Sequence, residues 1–104
     1  MIHVVAIITA KPGRRDEVLR EFLANIPAVH AEEGCIEYGP ATDVDALGPA
    51  QAVIGPDAFA VIEKWASVEA LQAHARAPHM ASYGQRTRDM VASRVVHVLA
   101  PHQG

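Results

Sequence analysis

Cysteine is nearly absent from this chain: Cys35 is the only one. That excludes an internal disulfide and any zinc site built from several thiolates. Basic charge is also scarce. Nine Lys and Arg stand against twelve Asp and Glu, a net charge of −3 at pH 7. The basic excess that a nucleic-acid partner calls for is therefore missing. No apolar run exceeds Val4 to Ile8 in length, far short of the roughly 20 residues of a membrane-spanning helix. The start, Met1-Ile2-His3-Val4, shows no basic leader and goes straight into a strand-like pattern, which predicts a cytoplasmic protein and not a secreted one. No Gly-rich phosphate loop, internal repeat or low-complexity segment is visible. What is present is 104 residues, half of them apolar and a fifth charged. That balance predicts one ordinary soluble domain over 1–104, too small to enclose a large cofactor by itself.

The pattern of apolar residues lays out the elements. Residues 2–9, IHVVAIIT, read as a strand with Ile2, Val4, Ala6 and Ile8 on one face and His3, Val5, Ile7 and Thr9 on the other. Lys11-Pro12-Gly13 breaks it. Residues 14–31 read as a helix: Val18, Phe22, Ile26 and Val29 form its apolar stripe, widened by Leu19 and Leu23, while Arg15, Arg20, Glu21 and Asn25 face water. Asp16 and Glu17 suit its first turn. Pro27 is expected to kink or divide it, and Gly34 to end it. Residues 35–41, CIEYGPA, read as a strand whose Pro40 marks an edge or a bulge. Residues 42–57 hold two Gly-Pro pairs and three aspartates and read as a long loop. Residues 58–65, AFAVIEKW, are the clearest strand, with Phe59, Val61, Glu63 and Trp65 on one face. Ser67 caps a helix at 68–76, and Pro78 opens a second at 79–91 with Met80, Tyr83, Thr87 and Met90 or Val91 inward. Residues 94–99 are a last strand, followed by a tail from Ala100 to Gly104.

The order β-α-β-β-α-β, its second helix split, predicts the α+β ferredoxin-like fold: an antiparallel sheet with its helices on one face. Strands one, three and four are apolar on both faces, so the uncovered face needs a cover. A second copy packed sheet to sheet supplies it, and the expectation is a homodimer through the face bearing Phe59, Val61 and Trp65.

Several of these residues form motifs. Glu63-Lys64-Trp65, then Ser67-Val68-Glu69-Ala70-Leu71-Gln72-Ala73-His74, then Ala77-Pro78-His79-Met80, resembles the antibiotic biosynthesis monooxygenase family, in which a strand ending E-x-W leads into a helix S-x-E-A-L-x-x-H and then P-H. Glu32-Glu33-Gly34-Cys35-Ile36-Glu37-Tyr38 resembles the family's E-x-G-C-x-x-Y corner, and Lys11-Pro12-Gly13 its first turn. The resemblance covers nearly the whole chain, with 43–57 longer than in the shortest members. It implies a dimeric α+β barrel, and an enzyme that oxidises quinol-like or polyphenolic compounds with O2, using no flavin, metal or haem. A haem-degrading branch carries an Asn in the first strand and a Trp near the position of His74. This chain has Ala6 and Ile7 at the first place and His74 at the second, so the resemblance implies the quinol-oxidising branch.

His74 follows the inward face of its short helix, and His79 comes just past Pro78. By spacing alone each is a hydrogen-bonded structural histidine or a pocket residue. The resemblance brings His74 to the pocket as a catalytic base, with His79 as second candidate. Five residues apart on one continuous helix, the two rings would diverge by about 140°; Pro78 breaks that geometry, but no carboxylate or thiolate at ligand spacing completes a metal set. Glu63 on an apolar strand face is costly to bury unpaired. It is salt-bridged across a dimer or lines a cavity. Trp65 needs a partner for its indole N–H, and Tyr38 is a donor to a substrate oxygen or an edge cap. Tyr38, Glu63 and Trp65 are the candidate substrate-binding residues. Cys35 reads as a small buried residue, His3 and His97 as structural sheet neighbours, His30 and His102 as exposed, and Arg14 and Arg15 as a solvated helix start. Two functions follow. One is a cofactor-independent monooxygenase acting on a small quinol-like aromatic. The other is a non-catalytic or isomerase-type dimeric barrel that binds a small hydrophobic ligand. Convergence of His74, Tyr38 and Glu63 on one cavity separates them.

Overall fold

The computed structural model describes residues 1–45 and 47–103. Ala46 in the expected loop and Gly104 in the expected tail lie outside them. The chain runs β1 (Ile2–Ala10), α1 (Arg15–His30), β2 (Cys35–Ala41), β3 (Ala58–Trp65), α2 (Val68–Ala75), α3 (Pro78–Thr87) and β4 (Val91–Leu99). The strands form one antiparallel sheet in the order β2-β3-β1-β4. This is the ferredoxin-like arrangement with its second helix split. Among the described residues no helix is long and apolar enough to cross a membrane.

Alternation along the strands decides the core. Val4, Ala6, Ile8 and Ala10 of β1 and Phe59, Val61 and Trp65 of β3 are buried against Val18, Phe22 and Val29 of α1 and Tyr83 of α3. The expected dimer face is thereby corrected. Phe59, Val61 and Trp65 are 0%, 4% and 0% exposed within one chain: the chain's own helices cover them. The face left over is the opposite one, with Val5 and Ile7 of β1, Ala60 and Ile62 of β3, and Val95 and Leu99 of β4.

Several local expectations shift. α1 runs without a break through Pro27. Pro27 and Leu23, one turn earlier, are both exposed, so the carbonyl that the missing N–H leaves free faces water. Leu23, expected to widen the apolar stripe, is 53% exposed, whereas Asn25, expected in water, is buried. Capping falls to Ala31. Gly34 instead makes the turn into β2 with φ +83°, and a Cβ there would lie 2.6 Å from the Cβ of Ala70. β2 is an edge strand, as the first reading of Pro40 has it; the register shift lies between Cys35 and Glu37, and Pro40 itself pairs regularly with Val61. α3 ends at Thr87, where the hydroxyl donates to the Tyr83 carbonyl at 2.9 Å; Met90 belongs to a turn and Val91 already to β4. Ser67 caps α2 as expected, its Oγ accepting from the Ala70 amide at 3.1 Å.

The segment between β2 and β3 has neither helix nor strand among its described residues. Asp43 closes it, accepting from the amides of Ile54 at 3.0 Å and Gly55 at 2.9 Å.

Candidate active site

An open cleft of about 590 Å³ lies between the inner sheet face and helices α2 and α3. Its floor is Val4, Ala6 and Ile8; Val96 and Val98 of β4 form one wall, and Leu71, Met80 and Tyr83 the roof. None of the described residues of the 42–57 segment lines it. Three of the residues singled out by sequence, Tyr38, Glu63 and His74, line this cleft together.

His74 is 5% exposed, at the inner end of α2. Its Nδ1–H donates to Oε2 of Glu32 at 2.7 Å. An ionised carboxylate only accepts, so facing it Nδ1 carries a proton, and in the neutral imidazole Nε2 is then the nitrogen with the lone pair. No protein group hydrogen-bonds Nε2 among the described residues. Glu32 is the residue that sequence reasoning missed. It stands in the Glu32-Glu33-Gly34-Cys35 corner that carries the family pattern, but its partner is on α2, far along the chain. The corner brings them together physically. The Gly34 carbonyl accepts from the Ala66 amide at 2.8 Å, and the missing side chain of Gly34 lets Ala70 of α2 seat against it. One turn beyond Ala70, His74 meets Glu32.

His79 lies outside the cleft lining. The Asn25 side-chain amide donates to its Nδ1 at 3.2 Å, and its Nε2 is 3.4 Å from Glu32 Oε2 without hydrogen-bond geometry. The two rings do not diverge as they would on one helix. The break between α2 and α3 turns both toward Glu32, with ring centroids 6.4 Å apart. This is a hydrogen-bonded network and not a ligand set: among the described residues no three His, Cys, Asp or Glu side chains could hold a metal ion.

Trp65 is wholly buried, and its partner is not a substrate oxygen: the indole N–H donates to Oε1 of Glu63 at 2.8 Å. Its ring stands 4.6 Å from that of His74. Glu63 is itself 7% exposed and lies on the cleft, and among the described residues of the chain it makes no salt bridge. Burial pushes its carboxyl above the usual carboxylate range, with the hydrogen bond from Trp65 as the largest opposing pull. Burial, and then the Glu63 charge, pushes the Tyr38 phenol far up. Tyr38 thus keeps its proton, which leaves its hydroxyl able to donate, and its ring is stacked on Phe22 at 5.2 Å. The other singled-out residues fall outside the site. His3 and His97 are diagonal neighbours on the outer sheet face. His30 bonds the Tyr38 carbonyl through Nε2 at 3.0 Å. Arg14 pairs with Glu17 at 2.9 Å.

A sequence model of the antibiotic biosynthesis monooxygenase family matches residues 1–86. The chain belongs to this family. It is 36% identical over 103 residues to a protein of Escherichia coli strain K12 named "Probable quinol monooxygenase YgiN", an overlap of 97% of this chain and 98% of that protein. Among solved structures, the family member's fold is similar to that of PA3566 from Pseudomonas aeruginosa, with a TM-score of 0.79 at 24% identity over 98% of this chain and 94% of that one. Rv0793 from Mycobacterium tuberculosis gives the same TM-score and identity over 99% and 96% of the two chains.

Proposed function

We propose that this protein is a cofactor-independent monooxygenase that oxidises a quinol-like aromatic with O2, with His74 as its general base. One observation carries the reading. His74 is anchored through Nδ1 to Glu32, which leaves Nε2 as a base in an apolar cleft that also holds a protonated phenol, Tyr38, and the buried carboxyl of Glu63. The family and the Escherichia coli relative's name support it.

In this mechanism Nε2 takes a phenolic proton. The electron-rich anion passes one electron to O2, and the radical pair recombines to a peroxide on the ring carbon. The O–O bond then breaks as the C–H bond of that ring carbon gives up its proton: one oxygen stays on the ring as a carbonyl, and the other leaves as water with this proton and the phenolic one returned by Nε2. For a hydroquinone the balance is quinol plus O2 giving hydroxyquinone plus water. Tyr38 donates to the developing oxyanion, and Trp65 holds Glu63 in place through Oε1. His79 stands behind His74 as a second imidazole on the same carboxylate. A positioned base contributes about 10²–10⁴ in rate, and an oxyanion donor a few kcal/mol. The reaction calls on no flavin or metal. The active form is a homodimer through the outer sheet face, where Val5, Ile7, Ile62 and Val95 lack a cover.

Oxygen uptake with a panel of hydroquinones and anthrone-like phenols, with metals chelated, tests the reading. The expected result is turnover that needs no addition. Ligand binding without oxygen uptake would leave the non-catalytic barrel in its place.

A further inference from the structure

The cleft is charged against the trend of the chain. The whole chain is acidic, at −3. Yet two arginines, Arg76 and Arg94, line the cleft against one carboxyl, Glu63. Neither guanidinium makes an ion pair with another side chain among the described residues.

Arg94 is the better placed of the two. It sits on the inner face of β4, paired with Ile8 on the cleft floor. It also lines an adjoining hollow of about 270 Å³ together with Arg88 and Ser93. Its charge is felt across the cleft. Burial raises the pKa values of Tyr38, Glu63 and Tyr83, on three different elements, and Arg94 opposes the rise at each of them. Glu63 pairs with Val4 on β1, and Arg94 with Ile8 on the far side of β1. Strand spacing and rise put their backbones roughly 16 Å apart. That span fits one substituted ring plus the two side chains that reach for it. Arg94 also lies beyond residues 1–86, the part that the family model matches.

We propose that the cleft takes a hydroxylated aromatic ring bearing a carboxylate, and that Arg94 binds this carboxylate and sets the specificity. The inference rests on the cleft being the quinol site. A guanidinium presents two parallel N–H donors to a carboxylate, and in a partly enclosed cleft that pairing discriminates between an acid and its neutral ester.

The test uses 2,5-dihydroxybenzoate and its methyl ester. Trp65, the only tryptophan, contacts both Glu63 and His74, so its fluorescence reads binding with oxygen excluded. Oxygen uptake reads turnover separately. The expected result is tighter binding of the acid than of the ester by about tenfold or more, roughly the worth of one charged hydrogen-bonded pair. Arg94→Ala should bring that ratio near one, Arg94→Glu should invert it, and Arg94→Lys should keep part of it. Melting curves of the variants confirm the fold. Equal binding of acid and ester by the natural protein would overturn the proposal. So would a ratio that Arg94→Ala leaves unchanged, or no binding of either ring. An acid preference that depends on Arg94 without oxygen uptake upholds the proposal while sinking the monooxygenase reading.

Discussion

The two faces of this sheet are both apolar, and only one is a core. On the inner face Val4, Ala6, Ile8, Phe59 and Val61 are at most 5% exposed. On the outer face Val5, Ile7, Ala60 and Ile62 are half-buried, and Val95 and Leu99 are about half exposed, at 51% and 49%. Apolar content does not separate the two; buried polarity does. Tyr38, Glu63, His74 and Asn25 all lie on the helix side. The polar groups of the outer face, such as Lys64 paired with Glu37 at 3.1 Å, are exposed or half-buried, and none is buried. A polar group persists in a dry place only where hydrogen bonds or function hold it. The inner face therefore carries the buried polar groups around the cleft, and the outer face carries apolar surface that the chain itself leaves uncovered. β4 belongs to both: Val96 and Val98 on its inner side are 52% and 55% exposed, because the helices stop short of it and leave the cleft open.

The strongest way to break the comparison is to charge the outer face. Ile62→Asp places a carboxylate where the proposed partner sheet packs. An obligate interface buries roughly 2,000 Å² or more, and an unpaired buried charge costs several kcal/mol. The dimer dissociation constant should rise by about three orders of magnitude. Sedimentation equilibrium at micromolar concentration reads it. A natural protein that is already monomeric there would remove the outer face from any role in assembly.

The next effect belongs to the inner face. His74→Ala should lower turnover by about 10²-fold or more if His74 is the base, with the melting temperature little changed. A purely structural His74 inverts that balance: a loss of about 1–3 kcal/mol of stability, with activity per folded molecule near normal. Glu32→Gln separates positioning from packing. It keeps the shape but no longer demands a proton on Nδ1, so the pH profile of turnover should change while the melting temperature holds, and Glu32→Asp should recover part of the loss.

Much of this was legible in the sequence, and the gaps have physical causes. Strand alternation placed Glu63 and Trp65 on one face with Phe59, and helical spacing turned His74 inward, because these relations are local. Which apolar face the helices would choose is not local, and Phe59, Val61 and Trp65 went to the chain's own core. Glu32 and Asn25 escaped notice for the same reason: their partners are His74 and His79, on helices distant in sequence. Arg94 read as the start of a strand, since nothing in its neighbours tells that the helices leave β4 bare. Helical spacing carries α3 past its real end because Met90 and Val91 continue its apolar stripe, whereas β1 recruits Val91 as a strand partner of Ala10.

A third prediction concerns the corner that holds the site together. Gly34→Ala adds a Cβ 2.6 Å from that of Ala70 and forces a residue with φ +83° into a left-handed conformation. The backbone term alone is about 1–2 kcal/mol, and displacing α2 should bring the total to about 2–3 kcal/mol. Gly13→Ala is the control. Its φ is +77°, but nothing lies within 4 Å of the added Cβ, so only the backbone term applies. Chemical denaturation should rank Gly34→Ala well below Gly13→Ala. Turnover per folded molecule should fall only in the Gly34 variant, because only that one shifts His74 from Glu32.

The smallest effect is a dependence on pH, and its sign is set by Glu63. Burial raises its folded-state pKa above the ordinary 4.5. The folded chain thus binds this proton more tightly than the unfolded one does. The stabilisation it brings is fully present below the ordinary value and is lost as pH rises through the folded-state pKa. Glu63→Gln carries no such proton, and its Oε1 can still accept from Trp65. The two proteins should therefore converge in melting temperature toward acid, apart from a constant offset, and the difference should move in favour of the variant as pH rises toward 8. Measurements at one protein concentration keep any dimer linkage fixed. A difference that moves the other way would mean that the folded state favours the ionised carboxyl, and Glu63 would then be an anion held by His74 and Arg94. That outcome would also weaken the case for Arg94 as a binder of substrate carboxylate, since its charge would already have a partner inside the cleft.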